Sequence, residues 1–156
     1  MPLEISARDD RPREARVYTT QGKAGLPMIV VDTNYFLRFF LGEPYDQHAK
    51  AKTLFQKAAR AEVQLATSSI VFFEVYWVAS SFYRLEKAKI VAFLRNILKM
   101  EFIDLENRTL LADAVRTYGE TPFDLEDAYN MAFAESVRAK ELATFDVKLA
   151  KAFTVR

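Results

Sequence analysis

Four acidic residues stand where a carboxylate could do chemistry: Asp32, Glu74, Asp127 and Asp146. Asp32 directly follows the apolar run Met28-Ile29-Val30-Val31, and Asp146 directly follows Leu142-Ala143-Thr144-Phe145. Glu74 interrupts an otherwise apolar stretch from Val71 to Val78, a setting in which a carboxylate is rarely kept without a partner or a metal. Asp127 lies in the early turns of a helix expected to begin at Thr121-Pro122. Carboxylates brought together repel and raise one another's pKa, and a cation among them relieves the repulsion. Donors that are all oxygen favour a hard ion, Mg2+ or Mn2+. Such an ion can bind a phosphodiester oxygen, activate a water and stabilise the leaving oxygen, so no serine, cysteine or histidine nucleophile is needed.

Each acid also has a plainer use. Asp32 and Asp146 follow strands and precede helices, where an aspartate often serves only as N-cap. Asp127 could be a simple exposed acid. Asp124 lies three residues before Asp127 on the same helix face, and three after Thr121, so it divides between capping and support of the site.

The elements that must position these acids follow from periodicity. Short apolar runs at Met28–Val31, Val63–Ala66, Phe102–Leu105 and Leu142–Phe145 read as strands, the first one buried on both faces. Helical spacing falls between them: Tyr35–Leu41, closed by Gly42-Glu43-Pro44; Asp46–Arg60; a helix after the cap candidates Thr67-Ser68-Ser69, running to Tyr83; Glu86–Lys99; a helix through Leu110 and Tyr118, closed by Gly119; and Thr121–Arg138. A short helix, Val147–Ala152, and a strand, Phe153–Val155, close the chain. Strands alternating with helices imply a parallel sheet with right-handed crossovers. Ligands of such a sheet bind beyond the carboxyl ends of its strands, where all four acids are expected.

Bulk properties narrow the chemistry. The chain has 156 residues, enough for one domain, and contains no cysteine and one histidine. Thiolate and multi-histidine zinc sites and cysteine nucleophiles are thereby excluded. The net charge of +1 argues against a strongly basic, non-specific nucleic-acid binder. No apolar stretch is long enough to span a membrane, and no secretory signal is visible, so a cytoplasmic location without membrane contact is expected. Residues 1–27 mix charges of both signs with few large apolar groups. They read either as a disordered extension or as the product of a mis-assigned start before Met28, with the folded domain covering residues 28–156.

Taken in order, the motifs resemble the PIN domain. Val30-Val31-Asp32-Thr33-Asn34 is similar to the opening strand and Asp-Thr-Asn of that family, and Glu74 sits in a similar acidic helix motif. Asp124-Leu125-Glu126-Asp127-Ala128 resembles Asp-Phe-Ala-Asp-Ala, and Thr144-Phe145-Asp146 matches the final Thr-Phe-Asp. Leu125-Glu126 departs from the usual Phe-Ala and adds an acid near the site. Size and motif style look most like VapC-type toxins of toxin–antitoxin pairs, with Arg38 and Trp77 in keeping. The resemblance implies a three-layer α/β/α fold with a central parallel sheet of four or five strands. It implies Mg2+- or Mn2+-dependent endoribonuclease activity on single strands, homodimerisation, and inhibition by a VapB-like antitoxin. Asp32, Glu74, Asp127 and Asp146 carry over as metal ligands; Asn34, Asp124 and Thr144 carry over as supporting or phosphate-positioning groups.

Other features admit more than one use. Arg38 could contact RNA phosphate, pair with a site acid, or lie plainly at the surface. Trp77 could line the groove or pack in the core. Phe36, Phe39 and Phe40 make the first helix apolar nearly all round, which suits the core and also an interface. His48 is expected on a helix surface. The alternatives to a toxin are an RNA-processing PIN endonuclease without antitoxin, a non-catalytic PIN-like interaction module, and a phosphohydrolase with Asp32 as nucleophile. The last would usually carry a second Asp two residues on, where this chain has Asn34.

Overall fold

A computed structural model describes residues 25–154. The expected extension lies outside the described residues up to position 24. Pro27 already takes part in the fold, its carbonyl accepting from the Gln64 amide at 3.1 Å.

Three short strands form one parallel sheet in the order β1-β2-β3: β1 (Met28–Val30), β2 (Gln64–Thr67) and β3 (Ile103–Leu105). Ile29 lies opposite Leu65, and Leu65 opposite Ile103. The helices are α1 (Thr33–Leu41), α2 (Tyr45–Ala59), α3 (Ser69–Trp77), α4 (Lys87–Leu98), α5 (Arg108–Glu120), α6 (Leu125–Ser136) and α7 (Val147–Thr154). A π-helical turn, Val78–Phe82, continues α3. Local chemistry fixes several ends. Ser68 caps α3 through the Val71 amide, and Gly42 closes α1 in the left-handed region at φ 77°, its amide donating to the Arg38 carbonyl. The core gathers Val31, Phe36, Leu65, Phe72, Val75, Leu94, Leu111 and Leu125, all essentially buried. Each buried Leu or Phe stabilises the fold by about 1.5–3 kcal/mol.

Several expectations are corrected. The sheet has three strands among the described residues, not four or five. Leu142–Phe145 is irregular, and the Phe145 side chain is fully exposed. Local bonds win over a ladder there: Thr144 Oγ1 accepts from the Asp146 amide at 3.0 Å, and Asp146 Oδ1 accepts from the Lys148 and Leu149 amides at 2.8 and 3.1 Å. Phe153 and Thr154 belong to α7 rather than to a final strand, with Thr154 Oγ1 donating back to the Ala150 carbonyl; Val155 lies outside the described residues. Among the described residues no fourth strand lies beside β1, which is an edge strand. Val30 is 76% exposed, so β1 is not buried on both faces, and the buried residue is Val31 just beyond it.

Thr121-Pro122 does not start α6. Thr121 Oγ1 donates to the Thr117 carbonyl at 2.7 Å and so finishes α5, which runs through Gly119; α6 starts after Asp124. The apolar face of α1 is used internally. Phe36 and Phe39 pack on Phe55 of α2, with ring centroids 5.6 and 5.0 Å away, and Phe40 packs on Phe93 of α4 at 4.5 Å. His48 is half-buried rather than on the surface. It stacks on Phe39 and its Nδ1 lies 3.0 Å from the Arg38 carbonyl oxygen.

Candidate functional site

The carboxyl ends of the three strands share one rim because the sheet is parallel. Thr67, buried at the end of β2, donates to the Val31 carbonyl at 2.8 Å and ties the ends of β1 and β2 together. Asp32 follows at once, exposed, with Oδ1 accepting the Tyr35 amide at 3.3 Å as the N-cap of α1. The neighbouring Thr33 is buried, and its hydroxyl donates to Glu74 Oε2. That bond draws the middle of α3 onto the first turn of α1. Glu74 is exposed, so it survives its apolar stretch by facing water on the open side of α3 and by taking the Thr33 hydroxyl, not by being sunk in the core.

At the end of β3, Glu106 braces the start of α3. Its Oε2 accepts the Ser69 amide at 3.0 Å, and its carbonyl accepts the Ser69 hydroxyl at 3.1 Å. Asn107 Nδ2 donates to the same Ser69 oxygen at 3.2 Å. Burial and then the negative charge of Glu106 push the Tyr129 hydroxyl up, which places Glu106 within electrostatic reach of α6.

The remaining acids collect around α6. Asp124 Oδ1 accepts the Asp127 amide at 2.8 Å, so Asp124 is the N-cap of the helix and not its third residue. Asp127 follows, half-buried. Its carboxyl is held above the usual range, first by burial and then by the charges of Asp124, Asp146 and Glu126. Asp146, capping α7, is thus brought toward Asp127 from nineteen residues away in sequence. Thr144 turns the backbone into that cap.

The acids therefore fall into two sets, Asp32 with Glu74, and Asp127 with Asp124, Glu126 and Asp146. Trp77 links them. Its Nε1 donates to Glu126, joining α3 one turn beyond Glu74 to α6 one residue before Asp127. Phe73 extends the contact, with its ring 6.2 Å from Trp77 and 5.2 Å from Tyr129. Among the described residues, Arg38 does not meet an acid. Its Nε donates to Gln47 Oε1 at 2.9 Å and its Nη1 to the Glu43 carbonyl at 3.3 Å.

In kind, these donors suit a hard divalent cation: they are carboxylate oxygens, and a cation would relieve the crowding around Asp127. In spacing they are open, since among the described residues no three acids stand close enough to share one ion. The caps explain part of this, because one oxygen each of Asp32, Asp124 and Asp146 is engaged by backbone amides.

Sequence reasoning missed Thr33, Thr67 and Glu106, and left the direction of Glu126 open. The signal for Glu106 was present, since it follows Leu105 at a strand end as Asp32 follows Val31. The two threonines carried no such signal, because a buried hydroxyl is recognised only by its partner.

A mixed α/β protein with acids lining the carboxyl rim of a parallel sheet is the class that fold and site define. The PIN domain family model matches residues 29–153, and the chain belongs to that family. PIN domains are in general metal-dependent nucleases that act on RNA, which places the chain among the hydrolases at that coarse level. A search of curated proteins finds no match. Among the described residues, no helix is long and apolar enough to cross a membrane.

Proposed function

We propose that this chain is a divalent-metal-dependent endoribonuclease directed at single strands, and the toxin of a toxin–antitoxin pair. The observation that carries the reading is Asp127, in a chain of the PIN family, whose carboxyl is held above the usual range by burial and then by Asp124, Asp146 and Glu126. Asp32, Glu74, Asp127 and Asp146 would hold Mg2+ or Mn2+, drawing together from the open spacing. The bound ion would supply charge neutralisation and acidify a water for in-line attack on the phosphodiester. The chain's own residues do the positioning. Thr33 aims Glu74, Asp124 sets the first turn of α6, and Thr144 shapes the turn that presents Asp146. Asn34, the second residue of α1, would help to position the substrate beside Asp32. Size and motif style support the toxin assignment, with a VapB-like antitoxin and a homodimer as its partners.

Purified protein should cleave single-stranded RNA with Mg2+ or Mn2+ and not with EDTA, and Asp32→Asn or Asp127→Asn should abolish cleavage. Wild-type cleavage by both variants would sink the carboxylate site. Growth arrest on expression alone, relieved by the adjacent upstream gene, would separate a toxin from an RNA-processing nuclease.

A further inference from the structure

The helix that opens at Asp32 leads into a second feature, a cleft rimmed by polar and basic side chains. Asn34, Tyr35 and Arg38 of α1, with Gln47, Lys50 and Ala51 of α2, line a cleft of about 120 Å³. Asn34 and Arg38 are one turn apart on the same helix face. An α-helix rises about 1.5 Å per residue, so Arg38 lies roughly 9 Å along α1 from Asp32. The Arg38 guanidinium is held by Gln47 and the Glu43 carbonyl through Nε and Nη1. Those bonds fix its plane and leave Nη2 for a ligand. No carboxylate among the described residues forms an ion pair with it or with Lys50. Among the described residues, the ion pairs are Arg60 with Glu62 and Arg116 with Asp113.

A pre-aimed guanidinium Nη2, an ammonium and a side-chain amide around a small cleft match the oxygens of a phosphate. The acids at the other end of the same helix would repel any polyanion, so a cationic grip nearby is what an RNA strand needs to approach them. We infer that the α1–α2 cleft binds one backbone phosphate of the RNA strand, next to the phosphodiester that is cut. This deepens the proposed nuclease reading and rests on it. Gln47 is the positioning residue, and Arg38 and Lys50 make the contact.

The test measures binding of a labelled single-stranded RNA in EDTA, over a series of salt concentrations, for wild type, Arg38→Gln, Lys50→Gln and the control Lys52→Gln. Lys52 is exposed on α2 and outside the cleft, and its substitution changes the net charge equally. Loss of one phosphate contact should flatten the log K against log salt slope by about 0.7, the value per phosphate on a single strand. Both cleft variants should show that change and weaker binding, and the control should not. Arg38 also braces the α1–α2 connection, so Lys50→Gln keeps the test valid if Arg38→Gln folds poorly. Equal slopes in all four proteins, or no measurable binding by wild type, would overturn the cleft. So would competition by polyglutamate as strong as by unlabelled RNA, since that would mark the cleft as a site for an acidic polypeptide. Cleavage assays on the same proteins keep the two readings apart. Normal cleavage with unchanged KM in the cleft variants removes the cleft alone; salt-sensitive binding through the cleft without cleavage by wild type removes the nuclease alone.

Discussion

Replacing Thr33 with valine tests whether its bond to Glu74 holds α3 against the start of α1 and so fixes the Asp32–Glu74 side of the acidic rim. Thr33 is 6% exposed, and valine has nearly its shape, so the substitution deletes a hydroxyl without opening a cavity. Hydrogen bonds to charged groups contribute about 1.5–3 kcal/mol, but Glu74 is exposed and regains water when the donor is lost. The net cost should therefore fall to about 1 kcal/mol, or roughly 4 °C in Tm for a domain of this size. Thr33→Ser keeps the donor and should retain most of the stability. A double-mutant cycle with Glu74→Ala, read by thermal melting in EDTA, should give a coupling of about 1 kcal/mol between the two positions. RNA cleavage should fall further than stability does, because an unanchored Glu74 spends less time directed at the rim. Additive mutants, or Thr33→Val with wild-type cleavage, would refute the argument that Thr33 aims Glu74.

Three further outcomes follow from the same geometry. Asp127 has a raised folded-state pKa, so its ionisation penalises the fold; that contribution is favourable below the ordinary aspartate range and is lost as pH rises through the raised value. Asp127→Asn should accordingly raise Tm at neutral pH without metal, gain nothing in acid, and lose the stabilisation that Mg2+ gives wild type, all read by melting curves against pH. Asp146→Asn should keep the cap on α7 and its Tm, whereas Asp146→Ala should cost about 0.5–2 kcal/mol, with cleavage lost in both. Lys87 Nζ donates to the Thr121 carbonyl at 2.6 Å and the Phe123 carbonyl at 3.3 Å, and lies 4.3 Å from the centre of the Tyr118 ring. Lys87→Met should cost about 2 kcal/mol by urea denaturation and loosen the α5–α6 connection that positions Asp127.

The parts of the fold that could be read from sequence are those decided within a few residues. Val31-Asp32 and the caps around Ser68 are local, and the structure has them nearly where the pattern puts them. Leu142–Phe145 has strand-like composition, but Thr144 and Asp146 satisfy nearby amides from their own side chains and draw the backbone into a turn. Thr121-Pro122 has the composition of a helix start, yet the Thr121 hydroxyl bonds backward to Thr117 and closes the preceding helix. In both cases side-chain oxygens bond to nearby backbone groups and decide the local structure, an outcome that composition does not settle. The acids were legible as residue types, but their grouping was not. Which of them lie near Asp127, and which near Thr33, depends on how α3 docks on α6, and Trp77 and Glu126 decide that across 49 residues.

Asp32, Asp124 and Asp146 each give one oxygen to a helix end, so scaffold and proposed catalyst share atoms. Asparagine can make the same cap with its amide oxygen while carrying no charge. The codons of the two residues differ by a single base. A lineage of this protein can therefore lose its chemistry one base at a time without losing its shape, and even gain stability as the repulsion falls. A folded but silent descendant, free to be kept for binding alone, is only a few point mutations away.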